Sequence, residues 1–242
     1  MRRPLHRRVL AQLASLDAAF LEECRCYFGG GTRIVLELDE YRESQDIDFL
    51  CADRDGYRKL RETVSDDSLG AIAKASLRLS REVRADQYGI RTRLGEGEGA
   101  LKFEVVREAR IELSGVRRRG LPTVCLDRTS AFAEKFLANA DRGLDRSTLS
   151  RDAIDLAFMT QGWGTELASA GAAVARAAYG AEVDRKLRQV VDLLRDDRAY
   201  RARCVDAMAI EDTKTLAQGL DRLLKAVVQQ RARPTPGKPR NN

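Results

Sequence analysis

Two observations place this chain in the α+β class. Short apolar, partly β-branched runs separated by turn residues fill the first half, and from Thr129 onward apolar residues recur at helical spacing. Strands mixed with helices, then helices alone, is the order of a mixed sheet with flanking helices followed by a helical domain. The division expected is an α/β domain over 1–127, a helical domain over 128–230 and a disordered basic tail over 231–242. No internal repeat is evident.

The elements follow in order. Residues 5–24 read as an amphipathic helix, with Leu10, Leu13, Leu16 and Phe20 near helical spacing. Strands are expected near 25–28, 33–38 and 46–51, where the runs are short and apolar. Helices are expected near 55–64 and 68–80, the second weakened by Gly70. Strands near 87–94 and 100–106 flank the flexible turn Gly95–Gly99, and a further pair is expected at 109–114 and 121–126. Helices then fill about 129–141, 147–160, 165–178, 181–195, 198–209 and 212–230, with breaks at Gly162-Trp163-Gly164 and Tyr179-Gly180.

Composition excludes several classes. At 242 residues the chain can bury a substantial core. It has neither a run long enough to span a bilayer nor an apolar signal core at its start, so a cytoplasmic protein with no membrane contact is expected. Cys24, Cys26, Cys51, Cys125 and Cys204 are scattered, and His6 is the sole histidine, which argues against zinc and for reduced thiols. The net charge of +6 comes from the ends: Arg2, Arg3, Arg7 and Arg8 at one, Arg231, Arg233, Lys238 and Arg240 at the other. The body is then slightly acidic. Basic ends, and the run Arg117-Arg118-Arg119, could follow a nucleic-acid backbone, or could simply be solvated.

The chemistry sits in Gly29-Gly30-Gly31-Thr32 followed by Asp46-Ile47-Asp48. Glycines let backbone N–H groups approach phosphates closely. On a strand, Asp46 and Asp48 share a face and Ile47 turns to the core, with the two aspartate Cα atoms roughly 6.6 Å apart. Carboxylates so placed repel unless a cation neutralises them or one keeps its proton, and Mg²⁺, or Mn²⁺ in its place, suits an all-oxygen site shared with substrate phosphates. In 99–106, Leu101, Phe103 and Val105 alternate with Lys102 and Glu104. If that strand neighbours the first, Glu104 completes a three-carboxylate cluster able to hold two metals about 4 Å apart. Plainer readings stand beside these. The glycines could form an ordinary turn, Lys102 and Glu104 a solvated face, Lys135, Asn139 and Arg142 a solvated helical stripe, and Arg151 and Asp155 a helical ion pair.

Gly30-Gly31-Thr32 with Tyr41-Arg42-Glu43-Ser44-Gln45-Asp46-Ile47-Asp48 resembles the first motif of the polymerase-β-like nucleotidyltransferases. More narrowly, it resembles the AbiEii/AbiGii toxin branch, where Arg-x-Ser often precedes Asp-x-Asp. Lys135…Arg142 followed by Arg151-Asp152-Ala-Ile-Asp155 is similar to that branch's later motif, so the likeness covers about 28–158. The resemblance implies a nucleotidyltransferase-like sheet with its site in a cleft between the halves. It also implies the roles of the residues. Gly30, Gly31, Thr32, Arg42, Ser44 and Lys135 would bind the nucleotide. Asp46, Asp48 and Glu104 would hold metal and, with Lys135 and Asp152, carry catalysis. Asp155 would shape the site. Glu104 stands where that branch often has Asp. By the same resemblance the substrate is a nucleoside triphosphate and the acceptor an RNA hydroxyl, at a tRNA end. The chain would be the toxin of a toxin–antitoxin pair, with a cognate antitoxin as partner. A small-molecule or protein acceptor, and a non-catalytic nucleotide-binding module, remain open.

Overall fold

The computed structural model describes residues 2–229, so the tail expected at 231–242 lies outside the described residues. Pro4–Ser15 (α1) and Ala18–Glu23 (α2) open the chain, followed by Cys26–Phe28 (β1), Gly30–Glu37 (α3), Ile47–Cys51 (β2) and Arg54–Thr63 (α4). Then come Leu79–Ala85 (β3), Gly89–Leu94 (β4), Leu101–Arg107 (β5), Gly115–Arg117 (β6) and Val124–Leu126 (β7). Helices complete it: Arg128–Arg142 (α5), Arg151–Trp163 (α6), Thr165–Tyr179 (α7), Glu182–Asp196 (α8), Arg198–Ala207 (α9) and Thr213–Leu224 (α10), which runs into a π-helical turn over Lys225–Gln229.

The α+β reading holds: one seven-stranded mixed sheet, in the order β3-β4-β5-β2-β1-β7-β6, is followed by helices. Several elements depart from expectation. The run 33–38 is not a strand but most of α3. Its apolar residues Ile34, Val35 and Leu38 also fit one side of a helix, and Arg33 pairs with Glu37 one turn on, at 2.9 Å. The helix expected at 68–80 shrinks to a 3₁₀ turn over Gly70–Ile72. Gly70 adopts φ +52 beside the Thr63 carbonyl, and the chain re-enters the sheet at Leu79. The first helix breaks in two where Leu16 turns extended and the Asp17 side chain caps α2 through the Phe20 N–H, at 2.9 Å. The strand pair expected at 109–114 and 121–126 shortens and shifts to β6 and β7.

The sheet separates two apolar clusters. One face, with Ile47, Phe49, Phe103, Val105, Ile90 and Leu94, packs on Val9 and Leu13 of α1 and Tyr57 and Leu60 of α4, all buried. Cys24, Cys26 and Cys51 are buried in this cluster as free thiols. Leu50 and Leu126 on the other face pack with Ile34 of α3 and the core of α5–α10, including Phe132, Phe136 and Leu156. The sheet and the following helices therefore share a core, and α5 starts directly from β7, capped by Asp127 on the Ser130 N–H.

Candidate active site

The site lies where the second face of the sheet meets α3, α5 and α6. Gly30, Gly31, Ser44, Asp46, Asp48, Lys102, Glu104, Lys135, Arg142 and Asp152 all line one cleft there. The glycines belong to the N-terminus of α3, where unpaired N–H groups and the helix dipole favour anions. Gly30 has φ +66, and a Cβ at that position would overlap the Asp48 carboxylate. Only glycine allows a helix start to approach the acid so closely.

Asp46 immediately precedes β2, and Asp48 lies within it; both are half-buried, while Ile47 is fully buried on the opposite face. β2 and β5 run parallel and place Asp48 directly opposite Glu104. Directly opposed residues share a face, so Asp46, Asp48 and Glu104 are gathered as the spacing suggested. They do not converge as a ready metal group: among the described residues, no three His, Cys, Asp or Glu side chains do. The reason is that Glu104 is engaged elsewhere. It accepts from Arg91 Nε at 2.7 Å and from Lys102 Nζ at 2.5 Å.

The electrostatics separate these acids. Burial, then the Asp46 charge, pushes Asp48 up to about 6. Burial alone would raise Glu104 too, but the hydrogen bonds and charges of Lys102 and Arg91 hold it below the usual carboxylate range. An ionised pair at Asp46 and Asp48 therefore calls for a cation, and the donor set is all oxygen, which fits Mg²⁺ or Mn²⁺.

A buried ionic network backs the cleft. Lys135 on α5 reaches Asp152 at 2.8 Å and Asp155 at 2.7 Å on α6. Arg142 donates to both Asp152 oxygens, from Nε at 2.8 Å and Nη2 at 3.2 Å. Arg42 clamps Asp155 through two bonds of 2.7 and 2.9 Å, and the Tyr41 hydroxyl donates to the same carboxylate at 2.5 Å. Three cations thus face two carboxylates, leaving positive charge beside the cleft. Burial opposes the ionised forms, yet the surrounding cations keep Asp152 and Asp155 below, and the aspartates keep Lys135 above, their ordinary values. The Lys135–Asn139–Arg142 face is therefore no solvated stripe: Lys135 and Asn139 are buried, and Arg142, more exposed, is tied to the buried Asp152. Asp155 pairs with Arg42 and Lys135 rather than with Arg151, which lies exposed at the cleft.

Two of the residues expected to bind the nucleotide are also engaged within the fold, although Arg42 does line the cleft. Thr32 is fully buried, and its hydroxyl lies 2.8 Å from that of Ser44, which it positions on the cleft wall. Arg42 is nine-tenths buried and spends its guanidinium on Asp155 and the Glu43 carbonyl. Glu134, next to Lys135 and lining the cleft, escaped sequence reasoning. Burial, then the Glu108 charge, pushes its carboxyl well above the usual carboxylate range. No local pattern marks it, because Glu108 and Arg110 reach it from another part of the chain.

A family model described as nucleotidyl transferase AbiEii toxin, type IV toxin–antitoxin system, matches residues 12–235. The chain belongs to this family. It is a nucleotidyltransferase, and its family is one of toxins of type IV toxin–antitoxin systems. Similar solved structures come from Helicobacter pylori. One, described as a "putative nucleotidyltransferase", superposes with a TM-score of 0.57 at 16% identity, covering 93% of this chain and 94% of that one. The other, JHP933, gives 0.50 at 14% identity, with 94% and 92% covered. At such identities the likeness speaks for the fold. No curated protein sequence matches. Among the described residues, no helix is long and apolar enough to cross a membrane.

Proposed function

We propose that this AbiEii-family nucleotidyltransferase transfers a nucleoside monophosphate from a nucleoside triphosphate to a hydroxyl of RNA, with a tRNA end as the acceptor considered first. The observation that carries the reading is the approach of the Gly30–Gly31 helix start to Asp48, with Asp46 and Glu104 on the same face. The α3 N–H groups bind the triphosphate, with Ser44 on the adjoining wall. Asp46 and Asp48 would hold the divalent cation, Mg²⁺ or Mn²⁺. When bound, that cation neutralises phosphate charge and steadies the leaving pyrophosphate.

The remaining residues position and polarise. Lys135 and Arg142, held by Asp152, direct the network's excess positive charge at the phosphates. Asp155 fixes Arg42 and Lys135 and so shapes the site from behind. Glu104 stays ionised beside Lys102. An incoming phosphate that draws both Lys102 and Arg91 away would leave Glu104 free to act as the third carboxylate and to take the acceptor's proton. Catalysis by such a site rests on alignment and charge. An antitoxin that restrains the toxin is the partner its family implies.

The test is transfer from each α-³²P-labelled nucleoside triphosphate, with Mg²⁺ or Mn²⁺, to total RNA and protein. The Asp46→Asn/Asp48→Asn variant runs alongside. Label on RNA that the variant abolishes supports the reading. Label on protein alone, or pyrophosphate release onto a small molecule, would replace the acceptor. Full transfer by the variant would overturn the assignment of both aspartates.

A further inference from the structure

The polar face of the sheet does not end at the cleft. Beyond β5 it continues across β4 to the edge strand β3, and the pairing register lines up basic residues along it. Arg93 of β4 lies opposite Lys102 of β5 on one side and Arg81 of β3 on the other. In the next row Arg91 lies opposite Glu104 and Arg84, and Glu104 lies opposite Asp48. The register slips in β3, between Leu79 and Arg81 and between Arg81 and Arg84, bring both arginines opposite arginines while Val83 stays buried in the core.

Like charges directly opposite one another destabilise a sheet. Here two such pairs, Arg81 with Arg93 and Arg84 with Arg91, sit side by side. The nearby acids offset only part of this charge. Arg91 pairs with Glu104 at 2.7 Å and with Asp86 at 3.4 Å, Lys102 shares Glu104, and Glu96 pairs with Arg78, which leaves Arg81, Arg84 and Arg93 without a carboxylate among the described residues. Glu82, between the two β3 arginines, is the remaining acid on that strand. Arg81 and Arg84 are exposed and make no ion pair within the described residues. The run Arg117-Arg118-Arg119 differs, since Arg117 pairs with Glu22 and Arg118 lies 3.9 Å from Glu37.

The geometry points to a track for a polyanion. We infer that the exposed face of β3–β4–β5 binds the backbone of a single-stranded segment of the RNA acceptor and leads its end into the cleft. The rows span three strand spacings, about 14 Å, from Asp48 to Arg84. Lys102 belongs both to the rows and to the cleft wall, so the track is continuous with the site. Charge complementarity and this continuity select the occupant. The inference rests on the RNA-acceptor reading above and adds where that acceptor lies.

The test uses the full-length protein and a fluorescent 20-nucleotide single-stranded RNA, with affinity measured by anisotropy between 50 and 200 mM KCl. Arg81→Ala/Arg84→Ala/Arg93→Ala removes the outer track but leaves Arg91 and Lys102, which hold Glu104. Arg54→Ala/Arg58→Ala/Arg61→Ala on α4, packed on the opposite sheet face, is the control for net charge. Three lost phosphate contacts flatten the salt slope by about 2, so wild type should lose roughly 20-fold more affinity than the track variant over this range. The control should keep the wild-type slope. In transfer assays the track variant should raise KM for RNA without lowering kcat.

Wild-type and track-variant slopes that agree, while RNA is still labelled, overturn the track and leave the acceptor reading standing. A control that flattens equally overturns it too, since only net charge would matter. Loss of binding to phosphatidylserine vesicles with RNA binding intact would reassign the face to a membrane. Turnover onto protein or a small molecule, with no RNA bound or labelled, removes the acceptor reading and the track together.

Discussion

Asp48→Asn should make the unliganded protein more stable while abolishing its chemistry. Asp48 titrates near 6 in the fold, against 3.8 for an unperturbed aspartate. A group whose folded value is raised favours folding below its unfolded value and loses that contribution as pH rises through the folded one. Ionising Asp48 in place therefore removes stability between about pH 4 and pH 6, and a shift of this size corresponds to roughly 3 kcal/mol at pH 7. Asparagine has nearly the same shape and no charge to bury. In metal-free buffer at pH 7 the variant should gain up to about 3 kcal/mol, a rise in Tm of roughly 6–12 °C for a chain of this size. At pH 4 the two proteins should nearly coincide. Mg²⁺ should raise Tm for wild type, by binding the ionised pair, and leave the variant almost unmoved. Differential scanning fluorimetry across pH 4–8, with and without Mg²⁺, checks all of this. A variant less stable than wild type at pH 7, or one whose difference from wild type does not grow from pH 4 to pH 7, would refute the account of Asp48.

Three further expectations concern its neighbours. Gly30→Ala places a Cβ on the Asp48 carboxylate at a left-handed φ, so nucleotide affinity by calorimetry should fall at least tenfold, with about 1–3 kcal/mol lost in urea unfolding. Asp155→Asn leaves Arg42 and Lys135 short of a buried counter-charge and should cost about 3–5 kcal/mol by urea denaturation, although Asp155 does not line the cleft. Asp152 and Asp155 have depressed folded values, so their stabilisation is present above the unfolded value near 4 and is lost as pH falls below it. Acid unfolding should accordingly steepen below about pH 4, and replacing either residue by Asn should flatten that limb.

Much of the site was legible because its signals are local. The glycines, the Asp-x-Asp pair and the alternation of 101–105 depend only on strand and turn geometry, and Ile47, Phe103 and Val105 are buried as that alternation requires. The misread elements are those where local preference is weak. Arg33–Leu38 carries β-branched residues but also helical spacing, and the helix that forms there sets its N–H groups at the cleft. Residues 68–80 look helical until Gly70 meets the Thr63 carbonyl.

By itself the sequence determined the class of fold and the face on which Asp46 and Asp48 emerge. Both follow from short-range spacing. Tertiary structure decided which residues meet and what they do. Glu104 stands beside Asp48 only because β5 inserts parallel to β2, and it is then drawn off by Lys102 and Arg91. Arg42 and Asp155, 113 residues apart, form a buried clamp, and Lys135 turns from solvent toward α6. Such partners are chosen by the packing of distant elements and by the cost of burying a charge without a counter-charge.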